Sequence, residues 1–282
     1  MRTGDVQVNT FNAHMRVLSR YFNVLSLSEA VAKLQQGSLP ARAVCVTFDD
    51  GYADNYHLAL PILRHWDLPA TFFIATDFLD GGRMWNDTVI EAIRNVPEPT
   101  VDLTGIGLGR YDIASSGLRH DAALALLEKL RYLEPERRQL KIDAIAQISG
   151  NALPTDLMMR PEQVRRLSDS GMDIGAHTVT HPILASLDDR AAHLEIAASR
   201  QRLETITRRE VTLFAYPSGK PDRDYAPRHV TMVSELGFIA AVSTTPGAAT
   251  RSTDVYQLPR LPAWHPTPVR FVLSLLRHSL TG

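Results

Sequence analysis

A single cysteine, Cys45, occurs in 282 residues, so the chain can form no internal disulfide. Set inside a short apolar run, it reads as a small core side chain rather than a nucleophile. No apolar run is long enough to span a bilayer, and the first residues lack the apolar core of a secretory leader. A cytoplasmic location is the expectation. Excess charge of either sign is missing too: 30 Lys and Arg against 31 Asp and Glu leave a formal net charge of −1, which makes no field for a nucleic acid partner. What remains is a composition of 44% hydrophobic and 22% charged residues, enough to bury a full core.

Against that background Ala43 to Tyr56 stands out, reading A-V-C-V-T-F-D-D-G-Y-A-D-N-Y. Val44, Cys45, Val46 and Phe48 form the β-branched and aromatic run of a strand buried on both faces, and it stops at two adjacent carboxylates followed by Gly51. Along an extended strand Asp49 and Asp50 point to opposite faces. Gly51 permits a sharp turn, so both carboxylates can reach one cavity in different roles, one on a metal and one moving protons. Asp-Asp-Gly is also ordinary turn chemistry, and the choice rests on a second stretch.

That stretch is Gly175 to Pro182, G-A-H-T-V-T-H-P, at the end of another short apolar run, Met172 to Ala176. His177 and His181 face one point if the backbone coils through a single turn between them. Two imidazoles with one carboxylate make a set suited to zinc, which leaves a position open for water.

Together the two stretches resemble the polysaccharide deacetylase family (NodB-homology, carbohydrate esterase 4). T-F-D-D-G at Thr47 to Gly51 matches its first motif and H-T-x-x-H-P at His177 to Pro182 its second. The segments A-L-P-I-L, P-A-T-F-F-I, F-A-Y-P-S-G-K and Q-L-P-R-L-P also follow the family in order, so the likeness runs from about Phe11 to Trp264. The branch found with bacterial exopolysaccharide gene clusters is the nearest in character. The resemblance implies an α/β fold, a distorted (β/α)7-type barrel related to the TIM barrel. It also implies a metal-dependent hydrolase that removes N-acetyl groups from amino sugars of a polysaccharide or oligosaccharide, using Zn²⁺ or another divalent metal such as Co²⁺ or Mn²⁺. Carried over by position, Asp49 is the implied base, and Asp50, His177 and His181 are the implied metal ligands. The backbone N–H of Ser218, after Pro217, is the implied oxyanion donor.

The chain departs from that pattern in three places. Ala215 stands where family members often carry an arginine that orients the base; Arg260, in L-P-R-L, can supply a guanidinium from a neighbouring strand, or it is a surface arginine on an edge strand. An earlier strand ending in a Tyr-His pair is absent. The Leu-x-His pattern that usually carries the general acid is not reproduced, and His265, in Ala263-Trp264-His265-Pro266, is the candidate acid. Trp85 and Tyr216 are the candidate substrate-binding aromatics, a role that competes with plain core packing.

In chain order, a helix is expected over Ser28 to Gln36 with Gly37 as its stop, and another over Asn55 to Trp66 with Pro61 marking a kink or late start. Strands are expected at Phe22 to Leu25, Ala70 to Ala75, Met172 to Ala176, Val211 to Tyr216 and Phe238 to Val242, with a helix at Asp188 to Thr207. Repeated β/α units place active residues on loops after the strands' C-terminal ends. One domain over residues 1–282 is expected, with a helical insertion at about 81–160 where Pro and Gly break the rhythm and His120 to Leu133 and Pro135 to Ile148 read as amphipathic helices. Met84-Trp85-Asn86-Asp87 is the most site-like piece of the insertion, and Asp87 reads equally well as an N-cap for a helix through Ile93.

Other chemistries fit less well. Paired glycosidase carboxylates flank the scissile bond and rarely come from adjacent residues. A two-metal phosphoesterase needs further ligands. A catalytically impaired, metal-containing carbohydrate-binding relative is the alternative that the departures leave open.

Overall fold

Short apolar runs become the strands of one parallel sheet, and the carboxylates and imidazoles that end them collect at one end of it. The run before Asp49, expected to be buried on both faces, is only half-buried because its strand, Thr47–Phe48, lies at the sheet's edge. The structure is a computed structural model that describes residues 6–150, 153–262 and 265–279. It begins with α1 (Val8–Tyr21), which buries His14, Met15 and Leu18, and continues through β1 (Asn23–Val24) to α2 (Leu27–Gln36). The Ser26 hydroxyl accepts from the N–H of Glu29 to open α2, and Gly37 closes it at φ 68°, a conformation that costs glycine little. β2 (Ala43–Val44) and β3 (Thr47–Phe48) are successive halves of one extended segment. The first pairs in parallel with β1.

A π-helical turn at Asn55–Ala59 then runs into α3 (Leu60–His65), whose first turn holds Pro61. Proline has no N–H to donate, and the first turn is where that loss costs least. β4 (Thr71–Ile74), buried at every residue, pairs in parallel with β3.

After β4 the chain builds a second compact unit, Gly81–Leu157. It contains α4 (Trp85–Asn95), β5 (Thr100–Leu103), β6 (Gly109–Asp112), α5 (Ser116–Arg131) and α6 (Pro135–Ile148). Its core includes Val89, Ile93, Val101, Leu103, Leu126, Ile142 and Ile145. The insertion is therefore not helical throughout: β5 and β6 form an antiparallel pair. Val101 and Leu103 are buried while Thr100 and Asp102 are exposed, a two-residue period too short to stand out beside the glycines that follow. Asp87 is not the cap of α4; it lies buried in the first turn, and Met84 occupies the N-cap position.

The first unit, Val6–Asp80 with Met158–Gly282, resumes with α7 (Pro161–Asp169), β7 (Asp173–Ala176) and α8 (Asp189–Thr207). It ends with β8 (Leu213–Ala215), α9 (Pro227–Glu235), β9 (Ala240–Val242) and α10 (Pro268–Ser279). The main sheet runs β3-β4-β7-β8-β9, every pair parallel, with Leu258 bridging to Val242 beyond β9. Phe72, Ile74, Ala176 and Phe214 from its strands pack with Leu167, Ile196 and Phe238. This is the expected α/β class, a mostly parallel sheet curled as a half-barrel with helices outside. No helix among the described residues is long and apolar enough to cross a membrane.

Candidate metal centre and active site

Extended chain keeps Asp49 and Asp50 apart, so the turn after β3 decides what each can do. Asp50 (φ 77°) and Gly51 (φ 92°) both adopt left-handed conformations and reverse the chain. The reversal is tied to the sheet: the Ala75 N–H donates to the Asp50 carbonyl at 3.2 Å, and the Met159 N–H to the Gly51 carbonyl at 2.9 Å. Among the described residues eight non-glycines have positive φ, and Asp50, Thr178, His181 and Ser218 are four of them. Such conformations cost energy and persist where the surroundings over-determine them, often at functional sites.

The next strands bring the imidazoles. His177 continues β7, its N–H donating to the Ile74 carbonyl at 3.1 Å. Its Nδ1 lies 2.7 Å from the Ala215 carbonyl. A carbonyl only accepts, so Nδ1 carries the proton and Nε2 keeps its lone pair. Both His177 Nε2 (3.4 Å) and His181 Nε2 (3.3 Å) face Asp50 Oδ1. One donor atom from each of the three residues lies within 4.8 Å of the others. Donors about 2.0–2.2 Å from a tetrahedral ion sit about 3.3–3.5 Å apart, a spacing the two Asp50–imidazole pairs match, so the donor chemistry fits a divalent cation. Burial lowers the His177 pKa, but the Asp50 and Asp49 carboxylates outweigh it and the net shift is upward. Burial acts against the Asp50 charge, and the two imidazoles reverse that, keeping the carboxyl ionised.

Asp49 has a different partner. Arg260 grips it with both arms, Nη1 to Oδ1 at 2.7 Å and Nη2 to Oδ2 at 2.8 Å. The fork is aimed by Nε donating to the Ser243 carbonyl at 2.9 Å, and Nη1 also lies 3.3 Å from the Thr47 hydroxyl. Burial would raise the Asp49 pKa; the Arg260 charge and hydrogen bonds, helped by the two histidines, bring it down to about 2. Arg260 is therefore no surface arginine. Ala215, where the family pattern suggested a guanidinium, instead lends its carbonyl to His177.

Ser218 lies in the turn after β8 with φ 59°, followed by Gly219 at φ 68°. Thr244 holds that turn, its hydroxyl donating to the Ser218 carbonyl at 2.8 Å and its N–H to the Gly219 carbonyl at 2.9 Å. Among the described residues no acceptor is bonded to the Ser218 N–H.

Three further sequence candidates have other surroundings. Tyr216 is 1% exposed, stacked on Tyr225 at 3.8 Å, with its hydroxyl donating to the Tyr256 carbonyl at 3.1 Å. The Tyr216 ring is thus part of the packed core. Trp85 belongs to the Gly81–Leu157 unit, packed against that unit's core with the Arg138 guanidinium 5.0 Å from its ring. His265 precedes α10, whose first residue is Pro268. Among the described residues no hydrogen bond or ion pair joins His265 to the carboxylates or imidazoles; its neighbours Ala263 and Trp264 lie outside the described residues.

Sequence reasoning also missed Glu195. From α8 its Oε2 accepts from the N–H groups of Val179 (2.8 Å) and Thr180 (2.9 Å), and its Oε1 from the Thr180 hydroxyl at 2.7 Å. A glutamate on a helix face carries no mark of such a role.

The model of the polysaccharide deacetylase family matches residues 36–240, a stretch that includes the Asp49-Asp50 turn and both histidines. The chain belongs to the polysaccharide deacetylase family. Within that family it is 23% identical to YxkH of Bacillus subtilis (strain 168) over 253 residues, which cover 89% of this chain. They cover 63% of YxkH, so the chain spans less than two thirds of that relative's length. Among solved structures, the Streptococcus pyogenes deacetylase PplD in complex with acetate superposes with a TM-score of 0.64 at 18% identity, over 97% of this chain and 90% of that one. IcaB from Ammonifex degensii gives 0.60 at 18% identity, over 96% and 90%. At such identities these likenesses speak for the polysaccharide deacetylase fold, and the chemistry rests on the site itself.

Proposed function

We propose that this chain is a metal-dependent hydrolase that removes N-acetyl groups from amino sugars of a polysaccharide or oligosaccharide. The observation that carries the reading is the division of labour between adjacent carboxylates: Asp50 faces two imidazoles, and Asp49 faces a guanidinium. Asp50, His177 and His181 would hold the cation, with Zn²⁺ the best match to two nitrogens and one carboxylate, and Co²⁺ or Mn²⁺ as alternatives. When bound, such a cation supplies Lewis acidity toward an amide carbonyl and brings the pKa of a water to about 7.

The rest of the work falls to the chain. Asp49, ionised and pinned by Arg260, is the base that takes a proton from the attacking water. The same grip limits its conformational freedom, so little reorganisation is needed as the proton moves. The Ser218 N–H supplies the donor for the developing oxyanion, a contribution whose loss typically costs about 3 kcal/mol of barrier.

Acetate release from N-acetylglucosamine oligomers by purified protein tests the reading, first after chelation and then after Zn²⁺ is restored. Release that stops with the chelator and returns with the metal supports it. A protein that binds no divalent metal, or releases acetate equally well after chelation, overturns it.

A further inference from the structure

His177 and His181 are anchored differently, although both are required for one cation set. His177 is fixed by the sheet through the Ile74 carbonyl and by the Ala215 carbonyl at its ring. His181 lies beyond the strand, at the end of a loop with two left-handed residues, Thr178 (φ 65°) and His181 itself (φ 56°). Where its imidazole sits depends on the backbone of Val179 and Thr180.

That backbone is gripped from two sides. The N–H groups of Thr76 and Asp77, just past β4, donate to the carbonyls of Thr178 (3.2 Å) and Val179 (3.0 Å). From the other side Glu195 uses both carboxylate oxygens to accept from the Val179 and Thr180 N–H groups and the Thr180 hydroxyl. An ionised carboxylate can only accept, and bonds of this charge-assisted kind are the stronger ones. Helix α8 gives Glu195 a firm base, since Ala192, Ile196, Ser199 and Leu203 are buried beneath it. Glu195 itself is half-buried and is not part of that packed face.

We propose that Glu195 is a positioning residue that holds the His177–His181 loop in its cation-binding conformation, acting through main-chain N–H groups and without touching substrate. The inference rests on the metal reading of the site. It predicts that metal affinity, rather than the stability of the fold, is what the side chain mainly sustains.

Two variants and two readouts test it. Glu195→Ala should weaken Zn²⁺ binding, measured by competition with a chromogenic chelator, by about 10- to 100-fold, as is usual for groups that orient metal ligands. Glu195→Gln keeps an oxygen for both N–H groups and loses the charge and the acceptor for the Thr180 hydroxyl, so its loss should be smaller, about tenfold or less. Hydrogen exchange of the metal-free protein supplies the second readout: in Glu195→Ala the amides of Val179 and Thr180 should exchange at least about tenfold faster, with β4 and β7 unchanged. Unchanged Zn²⁺ affinity, or exchange that accelerates across the whole sheet, would overturn the proposal. Should the wild-type protein take up no Zn²⁺, the proposed function fails, and local exchange at Val179 and Thr180 alone decides whether Glu195 holds the loop.

Discussion

Arg260 and Asp49 stand 211 residues apart in the chain and meet through two parallel hydrogen bonds, at 2.7 and 2.8 Å. A planar fork against a carboxylate fixes orientation as well as charge, which a lysine does not reproduce. Arg260→Lys should lower kcat by about tenfold and Arg260→Met by about 100-fold or more, with KM changing less. Steady-state kinetics beside metal analysis checks this, since the cation should stay bound in both variants.

Adjacent carboxylates should fail in different ways. Asp50→Asn removes the charge of a proposed ligand and should abolish stoichiometric Zn²⁺ binding together with activity. Asp49→Asn should retain the metal and lose at least about 100-fold in turnover, the usual scale for a positioned base. Metal content by mass spectrometry separates the two, and loss of metal from Asp49→Asn would mean that the roles are exchanged.

Gly175, two residues before His177, has no room for a side chain. A Cβ there would come within 2.4 Å of the Phe73 ring and 3.1 Å of the Leu213 carbonyl. Overpacking of this kind costs about 1–3 kcal/mol, which urea denaturation of Gly175→Ala should read as a lower midpoint. Phe73 also lies under the Arg260 guanidinium, 5.9 Å from its ring centre, so the same variant should lower activity.

His229 makes stability depend on pH. It is fully buried, its Nδ1 accepts from the Ala226 N–H at 2.9 Å, and burial with the nearby Arg228 charge depresses its pKa from 6.5 to about 4. Between those values the unfolded chain binds a proton that the folded chain refuses. Stability from this group is therefore complete above pH 6.5 and lost progressively as pH falls to about 4, with a slope of at most about 1.4 kcal/mol per pH unit. Thermal unfolding across that range should show a shallower dependence in His229→Gln than in the wild-type protein. Part of the slope should remain, because burial also lowers the His14 pKa.

Much of this protein was legible one residue at a time. The apolar runs before Asp49 and His177, the glycines at 51 and 37, and the four-residue step between the histidines are local patterns, and they led to the parallel strands, the candidate cation triad and the family. The β5–β6 pair escaped because four residues of alternation beside a glycine-rich stretch carry too little periodicity. Aromatic candidates were ambiguous for a related reason: Tyr216 has the same local chemistry whether it faces a sugar or stacks on Tyr225, and its burial shows only in the fold.

The sequence by itself determined which residues could make a cation site and at which strand ends they would stand, because strand period and turn chemistry act over a few residues. Only the tertiary structure decided how those residues are held. The grip of Arg260 on Asp49, the Ala215 carbonyl behind His177 and the Glu195 carboxylate behind Val179 and Thr180 all join positions far apart in the chain. Hydrogen bonds of that kind depend on where the packed strands and helices place their atoms, and spacing along the chain carries no trace of them.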